Sequence, residues 1–279
     1  MMNKIKLITD SSCDLNKDII EKYNIHVVPL NVHFGEDTYM DGELDKKEFY
    51  DRMSKSKELP KTSCPSPEKF MNTYEGEEDV IVFTITSKLS GTYSTAVLAK
   101  NMMLEENPNK KIAVIDTETG SIAHGQYIIK AAQLIEEGKS FEEIVETIET
   151  LKKNKFFYGS LETLENAIKG GRVNPVAGKL INVLNMKMII KVGDGAVKPI
   201  DTARGSNNSL KKVVGKINDT IAEGNYTSLA IAHANCLEKA EKVKEMILKD
   251  HNFNEVTISE IGSVMGVYTA EGAILVSVL

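Results

Sequence analysis

Apolar residues in this chain come in short blocks, and the polar residues between them gather into turn and cap signals. Residues 80–86 are nearly all apolar and β-branched, the pattern of a parallel strand buried on both faces. Residues 5–9, 25–32 and 112–115 carry the same extended signature. Helical spacing fills the intervals. Residues 15–23 follow Asp14 as an N-cap, Asp45 with Glu48 makes a capping box for a helix through Met53, and Ser66-Pro67-Glu68 starts a helix through Tyr74. A helix behind Ser90-Gly91-Thr92 runs to about Glu106, and one or two more carry the chain to Gly138. Ser140 with Glu143 then caps a helix whose apolar face is Phe141, Ile144, Ile148 and Leu151.

Near residue 155 the pattern changes. Residues 156–161 read as a strand and residues 162–168 as a short helix stopped by Gly170-Gly171, with Asn174-Pro175 opening another helix. Residues 186–192 and 196–200 flank Gly193-Asp194-Gly195, a hairpin signal. Helices from Ser206 and Leu237 alternate with strands over 228–232 and 256–261, and residues 273–278 form a last strand. The alternation predicts an α/β protein with a boundary near residue 155: a parallel-sheet domain over 1–155 and a smaller α/β domain over 156–279. No low-complexity linker separates them, so the halves are expected to pack tightly.

Composition narrows the function. A chain of 279 residues, 42% hydrophobic and 27% charged, is that of a globular protein in water. A net charge of −6 argues against nucleic acid as a partner, since phosphate binding needs a basic patch. Cys13, Cys64 and Cys236 are odd in number and widely spaced, which fits a reducing cytosol better than a disulfide framework or a zinc site. No leader pattern precedes the first strand and no apolar run approaches the roughly 20 residues that span a bilayer, so the expectation is a soluble, cytoplasmic protein touching membranes only transiently.

The candidate chemistry lies in three polar segments where apolar runs end: Thr9-Asp10-Ser11-Ser12, Thr62-Ser63-Cys64-Pro65-Ser66 and Ser90-Gly91-Thr92. In an open α/β sheet ligands bind beyond the carboxyl ends of the strands, and hydroxyls with helix-start amides suit a small anionic group. Several catalytic patterns fail. Gly138-Lys139-Ser140 lacks the earlier glycine of a phosphate loop, and Gly193-x-Gly195 lacks its third glycine. Asp10 and Asp14 do not have D-x-D spacing. Ser90 precedes its glycine instead of sitting in a G-x-S-x-G elbow, and the five histidines have no metal-ligand spacing. A hydrolase or acyl transferase using Ser90 with His233 or Tyr268 as base stays open, as does a lipid sensor, but the pattern favours ligand holding over reaction.

Taken in order, the segments resemble the DegV family of bacterial fatty-acid-binding proteins. They are Thr9-Asp10-Ser11, Val28-Pro29-Leu30, Thr62-Ser63-Cys64-Pro65-Ser66, Leu89-Ser90-Gly91-Thr92-Tyr93, Gly170-Gly171-Arg172, Ala203-Arg204, Ala232-His233-Ala234-Asn235 and the glycine-bearing stretch 262–272. The resemblance implies a two-domain α/β fold holding one long-chain fatty acid between its domains, with no other cofactor. It implies a head-group site at Thr62, Ser63, Ser90, Gly91, Thr92, Arg172, Tyr268 and Thr269. Arg204 would be the contact to a fatty acid kinase, which would bind ATP and phosphorylate the carried acid. Leu180, Ile181, Leu184, Met186, Met188 and Ile189 are candidates for the tail's lining, flexible methionines suiting variable chains. Where the family commonly has His-Thr-Gly-x-Gly, this chain reads Tyr268-Thr269-Ala270-Glu271-Gly272. Met188 stands for a usual proline and Cys64 for a usual glutamine.

Overall fold

Strand Asp79–Thr84 is buried along its entire length, as an unbroken apolar run requires when helices cover both faces of its sheet. It is a central strand of a four-stranded parallel sheet ordered His26–Val28, Ile5–Asp10, Asp79–Thr84, Ile112–Asp116. This is a computed structural model, describing residues 4–154, 156–174 and 186–279. One face of the sheet packs on helices Ser121–Glu136 and Phe141–Leu151, the other on Pro67–Tyr74 and Thr92–Glu106. Ser66 and Ser140 cap their helices as expected, Ser140 in a full capping box with Glu143.

The second half forms a six-stranded mixed sheet, ordered Ala196–Arg204, Met186–Gly193, Phe156–Leu161, Ile274–Val278, Ser228–His233, Glu255–Glu260. Its pairings are antiparallel except for the last, which is parallel. Helices Ser206–Ile221 and Leu237–Leu248 cover one face. The other face faces the first half. There Phe157, Leu161, Met188, Ile190 and Leu275 share a core with Leu30, Val32, Phe49 and Ile122. The α/β architecture is thus as expected, and the halves meet through a continuous apolar core.

Local expectations fail at informative points. Residues 25–32 are not one strand. The chain breaks at Pro29-Leu30, and Asn31–Phe34 leaves the parallel sheet for a small antiparallel one with Asp37–Met40 and Lys61–Ser63. Asp14 does not cap the α-helix that follows it. The first α-helix is Lys17–Lys22 behind Asn16, while Asp14 is left-handed (φ 50) and reaches across the molecule. The stretch 262–272 contains helix Ser263–Thr269 as well as a turn. The helix expected from Asn174-Pro175 lies outside the described residues.

Candidate functional site

A cavity of about 70 Å³ lies where the small antiparallel sheet, the parallel sheet and the inner face of the six-stranded sheet converge. Leu30, Ile85, Leu89, Leu161, Ala167, Ile190, Val197, Val264 and Met265 give it apolar walls. Thr62, Ser90, Arg172, Tyr268 and Thr269 are its polar lining. Each arrives by a different route. Thr62 is the middle residue of edge strand Lys61–Ser63, and Ser90 sits in the turn opening helix Thr92–Glu106. Arg172 follows the Gly170-Gly171 stop after helix Glu165–Lys169. Tyr268 and Thr269 end helix Ser263–Thr269.

Tyr268 is the hub of this lining. Its hydroxyl is 2.7 Å from the Thr62 hydroxyl. The Arg172 guanidinium lies 4.6 Å from the centroid of its ring, a cation–π stack. Arg172 is held in turn by Nε donating to the Leu89 carbonyl at 3.2 Å and Nη1 to the Gly170 carbonyl at 2.7 Å. Gly170 leaves room for the ring, because a Cβ there would collide with Tyr268. A phenol therefore fits the position through a glycine that the structure places directly against it.

The other expected residues are placed differently. Ser63 points to the opposite face of its strand, as period-two alternation demands, and its hydroxyl meets His33 Nε2 at 2.9 Å and Asn31 Nδ2 at 3.3 Å. Thr92 is buried, its hydroxyl 2.8 Å from that of Ser90, and Gly91 is the helix N-cap; neither lines the cavity. Arg204 is exposed at the end of strand Ala196–Arg204, away from the lining. Of the tail candidates, Leu180, Ile181 and Leu184 lie outside the described residues. Met188 is in the inner core, but Ile189 faces the outer helices, and Ile190 reaches the cavity in its place. None of the apolar wall residues was expected at the site from sequence; Leu30 and Leu89 lay in segments singled out there, while Val264 and Met265 carried no local signal beyond the glycine-bearing stretch.

Of the two hydrolase arrangements, Ser90 with His233 does not assemble, because His233 is not among the residues lining the cavity, whereas Tyr268 shares that lining with Ser90. Ser90 is hydrogen-bonded to Thr92, and His233 Nδ1 accepts the Cys236 N–H at 3.3 Å. Burial lowers the pKa of His233, which keeps it neutral. Among the described residues there is no cluster of metal-ligating side chains, and no helix long and apolar enough to cross a membrane.

The fold and cavity define an α/β protein with an apolar pocket between two sheets and a few polar groups converging on it. The chain belongs to the DegV family, whose profile matches residues 4–279. A DegV domain-containing protein of Clostridium perfringens is 34% identical over 99% of both chains. A DegV family protein of Ruminococcus gnavus, solved with vaccenic acid, superposes with a TM-score of 0.92 at 29% identity, covering 98% of this chain and 99% of its own. The Streptococcus pneumoniae Fatty Acid Kinase (Fak) B3 protein, solved loaded with linoleic acid, matches with a TM-score of 0.90 at 27% identity over 99% of both chains.

Proposed function

We propose that this protein binds a long-chain fatty acid without reacting with it, and presents the carboxylate to a separate acyl kinase. The observation that carries the reading is the convergence of Thr62, Ser90, Arg172 and Tyr268 on one apolar cavity between the sheets. Ser90 and one of the paired Thr62 and Tyr268 hydroxyls donate to the carboxylate, the other member of the pair donating to its partner, and Arg172 supplies the positive charge. Burying about fifteen methylenes at about 0.8 kcal/mol each gives roughly 12 kcal/mol of gross transfer free energy. Ordering the chain and desolvating the head group subtract from that gain. The tail therefore carries the affinity, and the head group needs partners rather than a clamp.

The cavity is smaller than the roughly 300–1,000 Å³ of ordinary small-molecule sites, so the tail enters by parting apolar side chains. Leu89, Val197 and Met265 are the half-buried members of those walls and the ones proposed to move. The fatty acids bound by family neighbours support the ligand class, and the kinase-named neighbour supports the carrier role. Exposed Arg204 is the proposed kinase contact. Native mass spectrometry of freshly purified protein, with solvent extraction, tests the reading directly. A stoichiometric fatty acid is expected. Protein that is empty and ignores added fatty acids would exclude it.

A further inference from the structure

Residues 9–14 stand beside the pocket without lining it, yet their side chains grip its walls. Ser11 Oγ accepts the Leu30 N–H at 3.1 Å, and Asp10 Oδ2 accepts the Ile85 N–H at 2.7 Å. Asp14 Oδ1 accepts the Gly262 N–H at 2.7 Å, and its other oxygen takes the Ser121 hydroxyl. Leu30 and Ile85 are wall residues. Gly262 opens the helix that brings Val264, Met265, Tyr268 and Thr269 to the pocket. That helix has no cap from its own N-cap residue; Asp41 Oδ1 accepts the Ser263 and Val264 N–H groups at 2.7 and 3.3 Å, beside Asp14. One turn thus ties together three walls that are remote in sequence.

We propose that residues 9–14 form a positioning element for the pocket, and that Asp14, through Gly262, governs how long a bound acyl ligand is retained. The proposal rests on the fatty-acid reading above. Asp14 is surrounded by Asp41, Lys46, Ser121 and Gly262, with Tyr50 and Cys13 also within its field. Burial pushes its pKa up to about 7, with Asp41 adding to the rise and Lys46 opposing it. Ionised, Asp14 makes charge-assisted bonds to two donors but repels Asp41. Protonated, it keeps the Gly262 N–H and can donate to the Ser121 oxygen. Asparagine reproduces that second state at every pH; alanine loses both contacts.

The test loads the protein with a fluorescent polyene fatty acid and follows its transfer to phosphatidylcholine vesicles by stopped flow, from about pH 6 to about pH 9. Asp14→Ala is expected to release the probe about tenfold faster than the parent near pH 6, equivalent to about 1.4 kcal/mol, and to lack the parent's change in rate around neutrality. Asp14→Asn is expected to match the parent within about twofold near pH 6 and to lack the parent's change in rate around neutrality. Ser11→Ala, a milder change should the Asp14 variants misfold, is expected to release about threefold faster. Unchanged rates in the folded variants would overturn the positioning role while leaving fatty-acid binding intact. A parent protein that takes up no probe would overturn the fatty-acid reading itself, and this inference with it.

Discussion

Two polar-rich regions of this molecule meet through shared wall residues, Leu30 and Ile85, and do opposite things with their hydroxyls and charges. In residues 9–14 with Ser121 and His124, the polar side chains, all buried except half-buried Ser11, are engaged with the protein itself. His124, its Nε2 3.1 Å from the Thr9 hydroxyl, is pushed down by burial to about 3 and stays neutral. At the pocket, polar groups are fewer and stand among apolar walls, and Thr62, Ser90, Arg172 and Tyr268 keep faces toward the cavity. A dense polar motif at a strand end is therefore not in itself a ligand site. Burial makes internal hydrogen bonding compulsory, and the densest cluster becomes the framework.

Variants should separate the two regions by their effect on stability: framework changes should change it and alter ligand retention only through the walls they hold, whereas pocket changes should alter affinity first. The largest effect is expected from Asp10→Asn. Asp10 accepts N–H groups on both oxygens, from Ser12 at 2.9 Å and Ile85 at 2.7 Å, and an amide would turn its NH2 against one of them. A buried donor left facing a donor costs about 1–3 kcal/mol, and urea unfolding should show a loss near the top of that range. A loss within error would mean the turn is not a framework element.

Next comes a dependence on pH. Asp14 titrates near 7 in the folded protein, far above its ordinary value of 3.8. Between those two values the folded state holds a proton that the unfolded state has released, so this group's contribution to stability falls as pH rises through that window. Asp14→Asn should flatten that slope and raise Tm at about pH 8, by about 2–4 °C for each kcal/mol relieved. A variant with the parent's slope would assign the titration elsewhere.

Smaller effects belong to the pocket. Gly170→Ala pushes a methyl into the half-buried Tyr268 ring and should weaken fatty-acid binding about tenfold, with a loss of about 1 kcal/mol in unfolding free energy, the low end for overpacking. Thr62→Val removes the hydroxyl 2.7 Å from the Tyr268 hydroxyl and should cost about 0.5–1.5 kcal/mol of affinity by titration calorimetry. Stability losses larger than the affinity losses in these two would erase the distinction between framework and pocket.

How much could be read in advance follows the range of the interactions. Strand Asp79–Thr84 and helices Pro67–Tyr74 and Phe141–Leu151 were legible because their apolar runs and caps lie within a few residues of one another. The small antiparallel sheet was not. Lys61–Ser63 is too short for a pattern, and Asp37–Met40 is mostly exposed and carries no apolar face. Helix Ser263–Thr269 was hidden because its first N–H groups are met by Asp14 and Asp41, more than 200 positions away. Asp14 misled for the same reason, since a local cap rule cannot see a partner across the chain.

By itself the sequence determined the α/β architecture, most of the elements and the kinds of side chain available, because period, capping and turn chemistry act over one or two turns of chain. Tertiary structure alone decided which of those side chains face the cavity. It sent Thr62 inward and Ser63 outward, set Tyr268 between Gly170 and Arg172, and consumed Asp10 and Asp14 in the framework. The physical reason is that a buried polar group must find its partner in space, and here those partners come from distant parts of the chain.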